Sequence, residues 1–254
     1  MKNTFAKVVA LLAYVVMVVV NSLANILPIN NRATGEISDS YPNLFAPAGL
    51  TFSIWGVIYL LLAGYVVYQF TKGAGKNEAL LNKINPLFIA TSIANSVWIF
   101  AWHYDYIALS VLFMAILLLL LIKIADAISK EELKKWDKLL IASPFAVYFG
   151  WITVATIANI TVFLVKMEWN GFGIAEHIWT AIILLVGALI GILRMRKDKS
   201  FPYGLVLVWA YGGILLKHLS AGGFNGQYPS VIVATVLCLA FFVVFIAKQI
   251  ATRR

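Results

Sequence analysis

Residues 105–125 read DYIALSVLFMAILLLLLIKIA, with charge only at Asp105 and Lys123 near the two ends. Crossing a hydrocarbon core of about 30 Å takes roughly 20 mostly apolar residues in a helix, because only a helix satisfies its own backbone N–H and C=O groups where no water can. This stretch meets both conditions. Similar stretches lie on either side, near 5–27, 48–71, 84–103, 139–165, 173–193, 201–219 and 229–249. The chain therefore reads as an all-α integral membrane protein with about eight transmembrane helices and no attached soluble domain.

Composition agrees. Hydrophobic residues make up 62% and charged residues 12%, about half the charged share of soluble domains, so burial away from water is not what organises this fold. The charges have a side. If the amino terminus is cytoplasmic, every basic residue except Arg32, Lys166 and Lys217 falls on a cytoplasmic segment, and the positive-inside rule puts both termini there. The net charge of +9 then needs no nucleic-acid partner. The basic tail Lys248, Arg253 and Arg254 is read as meeting anionic headgroups, which makes lipids the first expected partners and the bacterial plasma membrane the expected location. Lys2 and Lys7 before VVALLAYVVMVVV and SLA also resemble a secretory signal cleaved after Ala24. The apolar run continues through Leu27, and Asn21, Ser22 and Asn25 suit a polar helix face packed on neighbours, so the uncleaved span is preferred. Cys238 is the sole cysteine, which rules out a disulfide within one chain.

The first outer loop, PINNRATGEISDSYPNLFAP (28–47), is longer than any other outer connection and rich in turn formers, as expected of a lid. The inner connection DAISKEELKKWDK (126–138) has alternating charges at helical spacing and reads as a solvated surface helix with Trp136 at headgroup level. No Gly-rich nucleotide loop, HExxH, CxxC or GxSxG elbow occurs. A retinal Schiff base would need a lysine deep in the last spans, and Lys217 lies near an end.

What remains is an aromatic and amide pattern. Trp55 and Tyr59 share one helix face, as do Trp98 and Trp102, with Asn95 three residues before Trp98. Trp151, Ala155 and Asn159 form a stripe at i, i+4, i+8. At 1.5 Å per residue, Trp55 falls ~10 Å, Trp98 ~8 Å, Asn159 ~9 Å and Ala155 ~15 Å below the outer ends of their spans, beneath the long loop. Indoles, small residues and amides in that arrangement suit a flat, largely apolar ligand with a polar edge. Tryptophans also anchor helices at the membrane interface, the preferred reading for Trp102, Trp169 and Trp179, and intramembrane asparagines also join helices.

Three of these stretches carry a family resemblance: FAPAGLTFSIWGVIYLLL (45–62), ANSVWIFAW (94–102) and FGWITVATIAN (149–159). In order and spacing they resemble the successive signatures of the TspO/MBR family, the tryptophan-rich sensory or translocator proteins. The likeness covers residues 1–165 as a five-helix membrane bundle and leaves 166–254 as an extension of three further helices, as in the long forms. The resemblance implies a porphyrin-binding pocket closed by the loop after the first helix, and homodimers. Carried over by motif, it implies ligand contact at Pro47, Gly49, Trp55, Tyr59, Asn95, Trp98, Trp151, Ala155 and Asn159. The chain departs from the family where IFAWH follows Trp98, in the distance of Pro144 from Trp151, and in the lack of a tyrosine in ITVFLVKMEW (160–169), so cholesterol is not the expected ligand.

All three histidines, His103, His177 and His218, fall at outer ends of spans, near Asp105, Glu168, Glu176 and Lys217. Imidazole beside carboxylate permits an axial haem ligand or a divalent-metal site. No pair has i, i+4 metal spacing, and polar groups meeting water is the plainer reading, so no metal is expected; His103, Glu176, His177 and His218 are read as rim residues. The expected function is a TspO-like protein that binds a porphyrin, haem or similar flat hydrophobic molecule in a tryptophan-lined, outward-facing pocket, in sensing or transport, with no cofactor required. The alternative is a small-solute transporter alternating access through the bundle. The middle of each span is free of ionisable residues, which weakens ion-coupled transport. With no acid–base pair at depth, an enzyme ranks third and no catalytic residue is expected.

Overall fold

A computed structural model describes residues 2–27 and 29–251. Pro28 at the head of the long loop, Arg253 and Arg254 of the basic tail, and the side chain of Lys2 lie outside the described residues. The described residues form helices and turns and no strand. Eight long helices run α1 (Lys2–Ile26), α2 (Ile54–Tyr68), α3 (Glu78–His103), α4 (Ile107–Ile128), α5 (Ser143–Lys166), α6 (Glu176–Asp198), α7 (Phe201–Leu219) and α8 (Pro229–Ala251).

Seven of them, all but α7, are long and apolar enough to cross a membrane. The chain is a multi-pass membrane protein. The eighth expected span exists as a helix over the expected residues, but Pro202, Tyr203, Trp209, Tyr211 and the Lys217–His218 pair dilute its hydropathy. Elsewhere the apolar runs mark the helices to within a few residues, and the main differences are at α2, which begins at Ile54 after a 3-10 turn, and at α3, which begins at Glu78. Polar Glu78, Asn82 and Lys83 hide the start of α3 from a hydropathy reading.

Helices α1 to α5 close into a ring: α1 packs on α2 and α3, α3 on α4, α4 on α5, and α5 on α2. The three later helices form a second group in which α8 packs on α6 and α7, and α7 docks on α5. Glycine makes that docking close. A Cβ on Gly150 of α5 would sit 2.9 Å from Val206 Cβ and 3.0 Å from the Tyr203 carbonyl, so any larger residue would push α7 off α5. At the end remote from the long loop, the Arg194 guanidinium on α6 reaches Asp126 on α4 and Asp198 on its own helix, both at 2.6 Å, and lies over the Phe149 ring.

The same half of the ring is filled by aromatic packing. Tyr65, Phe88 and Phe145, from α2, α3 and α5, meet edge to face with centroids 4.7 to 5.7 Å apart, and none exceeds 1% exposure. Below them Tyr65 donates to Asn85, and Asn85 donates to Gln69, at 2.8 and 2.7 Å. The 126–138 connection is not the surface helix expected of it. Helix α4 ends at Ile128, and only Lys135–Asp137 is helical before a π-helical turn, Lys138–Ala142, leads into α5. Trp136 is exposed as expected, but Asp137 is buried, because Tyr68 donates to it at 2.7 Å and Lys76 pairs with it at 3.1 Å.

Candidate functional site

The long loop folds back over one end of the ring. A short helix, Thr34–Asp39, tucks Thr34, Ile37 and Ser38 inside. Residues 43–47 follow as a buried strap in which Asn43 Oδ1 accepts from the amides of Phe45 and Ala46 at 3.1 and 2.9 Å. The chain then enters α2 through a 3-10 turn, Gly49–Ser53.

Histidines and carboxylates fasten this loop. His103 sits with Nδ1 3.0 Å from the Ile29 carbonyl and Nε2 3.1 Å from the Thr34 hydroxyl. A carbonyl only accepts, so Nδ1 carries the proton and Nε2 takes the hydroxyl's hydrogen. Trp102 donates to the Thr34 carbonyl at 3.1 Å and is 5% exposed. The interface-anchor reading of Trp102 is thereby corrected: the loop covers the indole and accepts its N–H. From the later helices, Glu176 accepts from the Leu44 amide at 3.1 Å, His218 Nε2 donates to the Leu44 carbonyl at 2.9 Å, and Lys217 pairs with Asp39 at 2.8 Å. Lys166 pairs with Asp105 at 2.6 Å, and Tyr41 donates to the same carboxylate. Although burial works against it, Lys166 and Tyr41 hold the Asp105 carboxyl below its ordinary range. His177 is only partly buried. Among the described residues no three His, Cys, Asp or Glu side chains form a group able to hold a metal.

Trp55 is the hub beneath the loop. Its ring stacks on Tyr59 at 5.6 Å and meets Trp98 at 6.4 Å, Tyr148 at 5.9 Å and Trp151 at 6.3 Å. Rings from α2, α3 and α5 therefore converge, each contact within the range in which aromatic pairs attract. Trp98 stacks in turn on Trp102 at 5.8 Å, and Trp151 meets Phe52 edge-on at 5.8 Å.

The amides divide into two groups. Trp98 Nε1 donates to Asn159 Oδ1 at 3.0 Å, and Asn159 Nδ2 donates to the Ser110 hydroxyl at 2.9 Å. This chain ties α3, α5 and α4 together and uses Asn159 within the protein. Asn95, fully buried, accepts from Asn21 at 2.7 Å and donates to Tyr148 at 3.1 Å. Asn21 in turn faces open space.

That space is a cavity of about 260 Å³. Helix α1 contributes Asn21 and Asn25, the loop helix Thr34 and Gly35, the entry turn Phe52 and Ser53, α2 Trp55 and Tyr59, and α3 Ile99. Of the nine residues expected at a ligand, Trp55 and Tyr59 line it. Trp98, Trp151 and Asn95 stand behind as the packed ring and amide support. Ala155 is partly buried in α5, Pro47 is buried in the strap, and Gly49 is exposed at the turn. Tyr148 escaped notice, though it precedes Trp151 by three residues on the same stripe. Asn21 and Asn25, spaced i, i+4, carried a signal that pointed only to packing. Phe52, Thr34 and Ile99 carried none.

Against this geometry, the model of the TSPO-like protein family matches residues 7–248. The chain belongs to the TSPO-like family. The match runs through α6, α7 and α8 as well as the five-helix ring, so the TSPO-like unit here takes in both groups of helices. No curated protein and no solved structure matches the chain.

Proposed function

We propose that this TSPO-like protein binds a flat, largely apolar ligand, a porphyrin, haem or similar compound, against the Trp55–Tyr59 face beneath the loop, and acts in sensing or transport of it. The observation that carries the reading is Trp55, the meeting point of rings from three helices and at the same time a wall of the cavity beneath the loop. The cavity of about 260 Å³ is smaller than the roughly 300–1,000 Å³ of pockets for drug-sized ligands, so a tetrapyrrole enters with the loop raised. Charge distribution supports a plasma membrane with both termini cytoplasmic and the loop outside, since Arg32, Lys166 and Lys217 are the only basic residues at the loop end.

Permeation through the ring fits less well. The Tyr65, Phe88 and Phe145 rings fill the half opposite the loop, which makes the opening a blind pocket. The test is titration of protein in lipid nanodiscs with protoporphyrin IX and haem, read in the ligand's own absorbance band so that removing an indole leaves the signal intact. Trp55→Leu should weaken binding by about tenfold or more, since each tenfold corresponds to about 1.4 kcal/mol and a stacked aromatic pair adds about 0.5–1.5 kcal/mol beyond its buried area. Unchanged affinity in Trp55→Leu would remove the pocket from the account.

A further inference from the structure

Of the histidines at the loop end, His218 alone is placed so that a second proton cannot be accommodated while the loop is down. It is fully buried near the outer end of α7. Its Nε2 donates to the Leu44 carbonyl at 2.9 Å, which leaves Nδ1 as the bare lone pair of the neutral ring. Nδ1 is buried and meets no partner among the described residues. The imidazole lies instead against Phe224, with centroids 4.7 Å apart, and against Tyr228 at 6.0 Å. The 220–228 turn that carries these two rings is itself fixed, since the Phe224 and Gly226 amides donate to the Lys217 and His218 carbonyls at 2.9 and 2.8 Å.

A second proton would put a hydrogen on Nδ1 with no acceptor for it and enclose a positive charge among aromatic rings. Both are costly. The charged groups nearby offer no relief. Lys217, beside it on α7, adds a like charge and is paired with Asp39 of the loop at 2.8 Å. Glu176, at the start of α6, is exposed and has one oxygen on the Leu44 amide at 3.1 Å; Tyr228, the titratable residue of the turn, meets the imidazole with its ring. His103 differs. Its Nδ1 donates to the Ile29 carbonyl and its Nε2 accepts from Thr34, so a second proton on Nε2 finds the Thr34 oxygen as acceptor once that hydroxyl turns. His177 is only partly buried.

The two ring nitrogens of an imidazole flank one carbon, so lifting Leu44 off Nε2 brings water within reach of Nδ1 as well. The raised loop therefore takes the second proton more readily than the closed one, and by linkage the proton favours the raised loop. The closed state is fully supported well above the ordinary histidine value of about 6.5 and loses that support as pH falls below it. We propose that His218 is an acid-operated latch, whose second proton releases the Leu44 strap and lets the loop rise. The latch acts on the loop's fastening and is independent of what lies beneath it.

The experiment is hydrogen exchange read by mass spectrometry on the full chain in nanodiscs, without ligand, from about pH 7.5 to about pH 5, with exchange at the histidine C2 carbons followed in the same samples to locate the titration of His218. Peptides covering residues 43–46, corrected for the intrinsic pH dependence of exchange, should open about tenfold or more over this range, because one proton taken up on opening shifts the equilibrium by up to about tenfold per pH unit. His218→Gln, whose amide N–H can reach the same carbonyl but takes no proton, should abolish the step, and His103→Gln should retain it. Should His218→Gln lose the strap at every pH, the native chain decides alone, since the His218 titration must then coincide with the step at 43–46. A step that survives His218→Gln, or a strap whose protection stays constant while His218 titrates, overturns the latch. No porphyrin enters the measurement, so that failure would leave the Trp55 reading standing.

Discussion

Replacing Gly213 by alanine would put a methyl carbon 2.0 Å from Thr51 Oγ1 and 2.7 Å from its Cγ2. Thr51 is 2% exposed and has little room to yield, so α7 must back away from the entry turn. Two hydrogen bonds hold the elements together at this point, Ala48 N–H to the Gly213 carbonyl at 3.0 Å and Trp209 Nε1 to the Thr51 carbonyl at 2.9 Å. Overpacking costs about 1–3 kcal/mol, and each strained bond adds about 0.5–1.5 kcal/mol. Alanine returns about 1 kcal/mol over glycine in a helix, leaving a net loss of about 3 kcal/mol. Thr51→Ala alone should cost about 1 kcal/mol, the loss of a small buried group. In the double variant the two shortest contacts are gone and only the 2.9 Å approach to the residue-51 Cβ remains, so G213A/T51A should be more stable than G213A, with a favourable coupling of about 2 kcal/mol. Unfolding in mixed micelles by increasing sodium dodecyl sulfate, followed by tryptophan emission, measures all three. The entry turn also carries Phe52 and leads to Trp55, so G213A should lower protoporphyrin affinity and T51A should restore it. Additivity within about 0.5 kcal/mol would refute the claim that this close approach sets the turn's position.

Two further outcomes follow from the loop's fastenings. The Asp105 carboxyl is held below 3.8 by Lys166 and Tyr41, so its folded form binds protons less readily than its unfolded form. The stabilisation is complete above the unfolded value and is lost as pH falls through the lower folded value. Hydrogen exchange of residues 38–46 should therefore quicken below about pH 4 in the native chain, while Asp105→Asn should exchange faster at neutral pH and show no such step. Lys217→Ala combined with Glu176→Ala removes the Asp39 pair and the acceptor for the Leu44 amide. Since partly exposed pairs contribute about 0–1 kcal/mol, thermal stability should barely change, whereas protoporphyrin release should quicken several-fold in stopped-flow measurements; an unchanged release rate would mean that these contacts do not hold the loop closed.

The helices were legible because a bilayer demands length and apolarity, and a run such as 105–125 can satisfy it in only one way. The aromatic faces were legible because 3.6-residue periodicity puts Trp55 with Tyr59 and Trp98 with Trp102 whatever surrounds them. What each indole meets was not, since that depends on which helix lies opposite. Trp102 has the sequence position of an interface anchor, but it sits under a loop whose Thr34 carbonyl lies sixty-eight residues away. Asn159 looks like a ligand contact on its stripe, yet Trp98 and Ser110 occupy it. Asp137 lies in a run of charges that suggests a solvated face, and only the approach of Tyr68 and Lys76 makes its burial tolerable. The role of α7 was hidden for the same reason, because its glycines matter only through the partners they let in.

Those partners explain how three helices that contribute no residue to the cavity still bear on it. The loop could have been held by the five-helix ring alone, through His103, Trp102 and Asp105. Instead its middle is also gripped from outside, at Asp39 by Lys217 and at Leu44 by Glu176 and His218, and its end is seated on α7 through Gly213 and Trp209. Raising the loop thus breaks bonds to two groups of helices that are otherwise joined chiefly along the α5–α7 seam and at the Arg194 network. A change at that seam, such as a larger residue at Gly150, would shift both the loop's outer fastenings and the entry turn together, while leaving the Trp98–Asn159–Ser110 chain inside the ring untouched. The pocket's shape therefore depends on α6 and α7 as a mechanical support, and its chemistry on α1, α2 and the loop.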